Sequence, residues 1–345
     1  MKIYFICPSN KFPTGGMKQI YKQVDILNNN GFEAYVLLKN KSKNINWFEN
    51  NSKVAYNKSI FFELKKIQNP TKKYLIGSLK NKLLPKIEES SILVFPEIYG
   101  KAIELIAPKN KKVIFNQNCF YTFITSKIDD LFLNTNQYSN AQTLATIVVS
   151  NDSKKYINFA FKNANNVFRI RIGINNKLFY NEFNKKKKIA FMPRKLEEDI
   201  IQILNILKIR DKINDWEFIC IDNKTEVEVA AILRESSIFL SFNHREGFGL
   251  PPAEAMACGC VVIGYTGIGG AEYFKSEFSY PIEERNIISF VETIENVILM
   301  YAIENDKFNK ISAQASEYVS TAYSLENEKK DILFTWDSII KMVNQ

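Results

Sequence analysis

The order strand, glycine loop, helix, strand over residues 2–38 constrains the fold more than any other feature of the chain. An apolar run, KIYFIC at 2–7, leads into the loop PSNKFPTGG. Met17, Ile20, Tyr21 and Val24 then recur at i, i+3, i+4 and i+7, the spacing of a helix with one apolar face. The helix stops at NNNG, a composition suited to a C-cap, and EAYVLL returns as a second buried strand. Two strands joined through a helix run parallel, and a parallel sheet is covered on both faces. Further buried strands are expected at SILVF (91–95), KVIFN (112–116) and TIVVS (146–150), so a first α/β domain closes near residue 170.

The polar stretch NNKLFYNEFNKKKK (175–188) ends in four lysines and reads as a linker. A second α/β series starts at IAFM (189–192) and continues through WEFICI and IFLSF (238–242) to CVVIGY (260–265), with helices between. At 345 residues, two domains are expected. The boundaries read as a Rossmann-like domain over 1–170, a linker over 171–188, a second Rossmann-like domain over 189–325, and a closing helix over 326–345 that packs back on the first domain. Two doubly wound α/β domains facing across a cleft are the expected architecture.

Composition narrows the function. No apolar run reaches the roughly 20 residues that span a bilayer. The opening MKIYFICPSNKFP is too short in its apolar part for a signal peptide and reads as a first strand. Five scattered cysteines without a CxxC pair suit a reducing cytoplasm. The single histidine, His244, leaves little material for a histidine metal site or a Ser-His-Asp triad, so no metal or other cofactor is expected. Residues 1–168 hold 24 Lys/Arg against 11 Asp/Glu (+13), and residues 169–345 hold 22 against 26 (−4). The lysines come in loose groups: Lys39, Lys41 and Lys43; Lys65, Lys66, Lys72 and Lys73; Lys80, Lys82 and Lys86; Lys109, Lys111 and Lys112. Such a half is either a solvated face or the side that meets an anionic partner. Of such partners a membrane surface is expected here, and nucleic acid is not.

The chemistry concentrates in REGFGLPPAEAMACGC (245–260). The strand 238–242 runs out, NHREGFGL turns, and Pro251 and Pro252 open a helix, where proline's missing N–H costs nothing. Gly247 and Gly249 let the backbone approach a ligand, and the helix start offers a seat for phosphate. Glu246 on the loop and Glu254 on the first helical turn then flank that seat. Carboxylates beside a phosphate suit the hydroxyls on either side of it, a ribose and a hexose, which together describe a nucleotide sugar. A structural alternative, in which the glutamates decorate a helix start, explains either alone but not the constellation.

EGFGLPPAEAMACG resembles the E-x7-E signature of family 4 glycosyltransferases, retaining enzymes of the GT-B fold. PTGGMKQIYKQVDILNNNGFEAYVLL is similar to that family's first loop, helix and strand, and IGINNKLF to its linker signature through Gly173, Ile174, Asn175 and Phe179. GYTGIGGAEYF is similar to the Gly-Gly-x-x-E segment after the motif. The resemblance implies that Glu254 holds the ribose diol, that Glu246 and the backbone of Gly247, Phe248, Gly249 and Leu250 contact donor sugar and phosphates, and that Gly15 and Gly16 face the donor. Arg194 matches the arginine of the family's Gly-Arg pair, Pro193 replaces the glycine, and Asp199 stands where the family has a lysine, with Lys195 as the candidate substitute. An arginine and a lysine beside a departing diphosphate supply the electrostatic stabilisation that such a reaction needs. The family's N-domain histidine is absent; Asn116, Gln117 and Asn118 occupy its place as candidate acceptor or sugar contacts. The expected function is a cytoplasmic, peripherally membrane-bound retaining glycosyltransferase. It would move a sugar from a nucleotide-sugar donor to a glycan or lipid-linked glycan. The rival readings are a non-catalytic binding protein of the same fold and a nicotinamide-dependent enzyme. VVIGYTGIGG argues weakly for the latter, because Glu272 stands where a GxGxxG fingerprint needs its last glycine.

Overall fold

The computed structural model describes residues 1–8, 14–41, 48, 50–68, 87–126, 137–182, 184–213 and 215–344. Lys43, Lys72, Lys73, Lys80, Lys82 and Lys86 of the basic groups lie outside the described residues. The chain forms two compact units, Met1–Ile170 with Lys329–Gln345, and Arg171–Glu328.

In the first unit the elements are β1 (Lys2–Ile6), α1 (Gly15–Asn28), β2 (Glu33–Leu38), β3 (Val54–Tyr56), α2 (Lys58–Gln68), β4 (Ile92–Pro96), α3 (Ala102–Leu105), β5 (Lys111–Asn116), β6 (Thr143–Val148), α4 (Asn151–Ala160) and β7 (Val167–Arg169). Among the described residues they give a seven-stranded sheet in the order β3-β2-β1-β4-β5-β6-β7, with the pairs parallel. β1 is an interior strand, with Phe5 opposite Val36 on one side and Val94 on the other. One core joins Ile6, Leu93, Phe95, Ile114 and Val148 to Ile60, Leu64 and Ile157 of the helices. β3 and β7, absent from the sequence expectations, are three-residue edge strands too short for a periodic signal.

The second unit holds β8 (Lys186–Phe191), α5 (Glu197–Arg210), β9 (Glu217–Cys220), α6 (Glu226–Glu235), β10 (Ser236–Glu246), α7 (Leu250–Ala257), β11 (Val261–Ile268), β12 (Tyr280–Pro281), α8 (Ile287–Ile303) and α9 (Asn305–Ala322). Its five strands, all parallel, lie in the order β12-β11-β10-β8-β9. β8 begins at Lys186, so three lysines of the expected linker belong to a strand. They are held there by acids: Lys186 and Lys188 pair with Glu235 at 2.9 and 2.7 Å, and Lys187 pairs with Asp215. A last helix, α10 (Leu325–Val343), passes at Lys329 from the second unit's residues into the first unit's. In the first unit Trp336 is fully buried, its ring 5.6 Å from Phe5 and its Nε1 donating to Gln23 Oε1 at 3.4 Å.

Candidate functional site

An open parallel sheet makes its binding crevice where strand order reverses, because the loops leaving the two strands there diverge. In the second unit that point lies between β8 and β10. β8 runs out into Arg194 and Lys195, and β10 into Glu246. Lys195 Nζ donates to Glu246 Oε1 at 2.6 Å and to the His244 carbonyl at 2.8 Å, and Arg194 Nη2 lies 3.9 Å from the same carboxylate oxygen. The Glu246 side chain keeps only 18% of its surface exposed, against 69% for Arg194. Two adjacent cations thus converge on one carboxylate, 51 residues beyond Lys195 in the sequence.

Local irregularities aim these groups. β10 is longer than the expected 238–242; it pairs with β11 as far as Glu246, with a register shift between Asn243 and Glu246 and Arg245 at φ +49°. A bulge of this kind turns the side chain that follows it. The helix α7 opens on Leu250, with Pro251 and Pro252 as its second and third residues rather than its first. Glu254 is therefore the fifth helical residue and stands past the first turn where it was expected. Two prolines also remove two N–H groups from the helix start, so Gly249 and Leu250 carry the donors that matter.

Tyr273 orients those donors. Its buried hydroxyl donates to the carbonyls of Phe248, at 3.2 Å, and Gly249. In a trans peptide the N–H points opposite to the C=O, and the described chain has no cis bond, so the N–H groups of Gly249 and Leu250 are directed away from Tyr273. Burial, followed by the charges of Glu246, Tyr323, Glu272 and Glu254, raises the Tyr273 hydroxyl well above the ordinary tyrosine range. Glu246 and Glu254 thus act on one hydroxyl from two elements. Phe248 is a core anchor, its ring 4.9 Å from Tyr273 and 5.2 Å from Tyr323, so only its backbone reaches a ligand. Gly249 sits at φ +82°, and a Cβ there would stand 2.3 Å from Asn243 Nδ2. Nothing in the sequence singled out Tyr273; it is an aromatic residue just past a motif, and its hydroxyl acts across 24 residues.

Asp199, at the position of the family's lysine, turns inward. It is 2% exposed, accepts from Tyr265 Oη at 2.9 Å and pairs with Arg285 Nη1 at 2.6 Å. Among the described residues no group of three His, Cys, Asp or Glu side chains is placed to hold a metal ion. No described helix is long and apolar enough to cross a membrane.

In the first unit the reversal lies between β1 and β4. Gly15 and Gly16, expected on a loop, form the first turn of α1, capped by Thr14 Oγ1 accepting from the Met17 N–H at 3.3 Å. Of the three candidate contacts after β5, two turn inward. Asn116 is fully buried and donates to Thr122 Oγ1 at 2.9 Å and Tyr138 Oη at 2.8 Å. Asn118 is 7% exposed and caps a 3₁₀ turn by accepting from the Phe120 N–H at 3.1 Å. Gln117 lies against Gly16, where a Cβ would stand 3.1 Å from its Oε1.

Residues 214–316 match the family model described as "Glycosyl transferases group 1". That match corrects the expected family 4 assignment: the E-x7-E segment lies inside a region whose model is that of group 1. A curated protein from Actinobacillus pleuropneumoniae serotype 7 (strain AP76), an alpha-1,6-glucosyltransferase, is 32% identical over 204 residues, 55% of this chain and 58% of that protein. The chain thus spans under two thirds of that relative's length. Among solved structures, Anabaena HepE in complex with UDP and glucose superposes with a TM-score of 0.67 at 15% identity, covering 98% of this chain and 100% of that one. Sucrose-phosphate synthase from Thermosynechococcus elongatus gives 0.66 at 13% identity, covering 99% of both chains. The architecture is the two-domain α/β GT-B fold, and residues 214–316 of its second unit match the group 1 glycosyl transferase model.

Proposed function

We propose that the protein is a retaining glycosyltransferase that moves a hexose from a nucleotide-sugar donor to a hydroxyl of a glycan or lipid-linked glycan. The observation that carries this reading is the Glu246–Lys195–Arg194 cluster beside N–H groups aimed by Tyr273. Two cations and two oriented N–H groups suit a diphosphate, and the carboxylate between them suits a sugar hydroxyl. Glu254, on the helix behind, takes the ribose diol. The bond from the anomeric carbon to the phosphate oxygen breaks, Arg194 and Lys195 hold the departing charge, and the acceptor oxygen bonds to the same face. A phosphate oxygen takes the acceptor's proton, which leaves no task for a protein nucleophile.

The glucosyltransferase relative and the UDP and glucose of the HepE structure support a uridine diphosphate hexose, with UDP-glucose first among candidates. The excess of positive charge over residues 1–168 supports an anionic membrane surface as the place where the acceptor is met, on the cytoplasmic side. A panel of nucleotide sugars, followed by proton NMR of the released or transferred sugar, tests the reading. Turnover of one donor with its anomeric configuration kept, lost in Glu246→Ala, is the expected result. Inverted product overturns retention, and no turnover with binding intact favours a non-catalytic binding protein. Because the cations and N–H groups take the metal's usual part, turnover is expected to persist in EDTA; loss with recovery on added magnesium would place the leaving-group charge elsewhere.

A further inference from the structure

At the first unit's strand reversal, β4 runs out into a glutamate that the E-x7-E chemistry does not use. Glu97 opens the 3₁₀ turn Glu97–Tyr99 and is 4% exposed. Its Oε2 accepts from the Gln117 N–H and its Oε1 from the Asn118 N–H, both at 3.1 Å. One carboxylate therefore spends both oxygens on two successive peptide groups at the end of the neighbouring strand β5. Those peptides carry the turn in which Asn116 and Asn118 are engaged inward, while the Gln117 amide, with no hydrogen bond among the described residues, lies against Gly16.

An uncharged side chain would be the cheaper occupant of so buried a place. Burial pushes the Glu97 carboxyl up to about 7, against the pull of the N–H groups of Gln117, Asn118 and Glu97 itself. Among the neighbouring titratable groups, burial raises the Tyr99 hydroxyl, and burial followed by the charge of Asp152 raises the Cys119 thiol in the adjoining turn. The Tyr138 hydroxyl is raised, first by burial and also by Glu97, and Cys7 at the end of β1 is pushed up to about 12 by burial. Only the ionised carboxylate has two full acceptors, so the charge is retained for what it holds rather than for stability.

We propose that Glu97 is a positioning residue of the first unit: its carboxylate clamps the Gln117–Asn118 turn and holds the Gln117 amide against Gly16, where it meets a sugar hydroxyl. The proposal rests on the glycosyltransferase reading for its ligand, but not for its clamp. Protonation removes one acceptor, so the clamp is closed above pH 7 and opens as pH falls through the carboxyl's titration. The fold responds with the opposite sign. A carboxyl whose folded value lies above its unfolded one favours the neutral form, so Glu97 costs stability progressively as pH rises from about 4.5 to about 7.

The test uses the full chain with UDP-glucose as donor and UDP as binding probe, between pH 5.5 and 8.5. Wild-type turnover is expected to fall on the acid side with a midpoint near 7. Glu97→Gln, whose amide can accept only one of the two N–H groups, is expected to lose roughly ten-fold or more in kcat/KM at pH 8, to flatten the acid limb, and to bind UDP within two-fold of wild type. Its melting temperature should change less than that of wild type between pH 5.5 and 8. An acid limb kept intact, with turnover within two-fold, overturns the proposal. Should Glu97→Gln fail to fold, Gln117→Ala decides: comparable loss with UDP binding kept supports the clamp's purpose, and unchanged turnover overturns it. If wild type turns over no UDP-glucose, hydrogen exchange at 116–122 at pH 8 separates the two readings. Exchange faster in Glu97→Gln upholds the clamp while the donor assignment falls, and equal exchange sinks the clamp.

Discussion

Lys195 has three N–H bonds to give, and two are engaged, one on Glu246 at 2.6 Å and one on the His244 carbonyl at 2.8 Å. In the proposed reading the third is the one left for a phosphate, so that one side chain would both orient the carboxylate and meet the leaving group. This divides the labour of the two motif glutamates. Glu246→Ala removes a contact to the sugar, and turnover should fall while UDP affinity changes little. Glu254→Gln removes the proposed ribose contact, common to donor and product, and should weaken both by about 1.5–3 kcal/mol, the worth of a hydrogen bond to a charged group. Calorimetry with bare UDP distinguishes them, and equal losses in the two variants would contradict the assignment. Glu246 and Glu254 stood out in the sequence beside a glycine-rich turn and a helix start, whereas Arg194 and Lys195, in MPRKLEED with no glycine, were candidates only through the family resemblance. The burial of Glu97 and Asp199 was not legible there, since an acid's sign of burial depends on partners far along the chain. Asp199 stands five residues past Arg194 and still turns inward, because Tyr265 and Arg285 receive it there.

At the scale of elements, the loop between β10 and α7 is built from beneath. Gly269 packs so tightly under it that a Cβ would stand 2.2 Å from the Gly247 carbonyl, and Tyr273 holds the two following carbonyls. The glycines of GIGG thus serve close backbone approach between β11's end and the loop before α7. Strand and helix order was readable from apolar runs and helical spacing. The length of β10 was not, because its last residues, Asn-His-Arg-Glu, are polar and pair only through the bulged register with β11. Tyr273→Phe keeps the packing and removes the hydroxyl. It leaves buried carbonyls without their donor, at about 1–3 kcal/mol. A lowered melting temperature is expected, together with a UDP-induced thermal shift smaller than in wild type, since the N–H groups are no longer aimed. A variant that melts early yet keeps the full UDP shift would show that Tyr273 stabilises the loop without orienting it.

Across the whole molecule the charge is split along the sequence, +13 over residues 1–168, nearly all of the first unit, and −4 over the rest. Topology says where part of it lies. Both the β3–α2–β4 and β6–α4–β7 connections move the same way along the first sheet, so right-handed crossovers put α2 and α4 on one face. Their shared core, joining Ile60 and Leu64 to Ile157, agrees. The outer side of that layer exposes Lys65 and Lys66 at the end of α2 and Lys154 and Lys155 on α4. Phe159, one helical turn beyond Lys155, is 89% exposed. Exposed lysines and an exposed aromatic ring on one helix layer suit the interface of an anionic bilayer, at about 1 kcal/mol for each charge, decaying over a Debye length of about 8 Å. Four such lysines would be worth about 4 kcal/mol, close to three decades in partitioning at low salt. The chain should therefore co-sediment with vesicles containing phosphatidylserine, lose most of that binding in half-molar salt, and lose it also when Lys65, Lys66, Lys154 and Lys155 become glutamate. Phe159→Ser should remove the part that salt leaves behind. UDP binding measured on the same variants should stay at the wild-type level, because none of these residues belongs to the second unit. Equal recovery on neutral and anionic vesicles would make this layer a solvated face and turn the search for the acceptor toward soluble glycans.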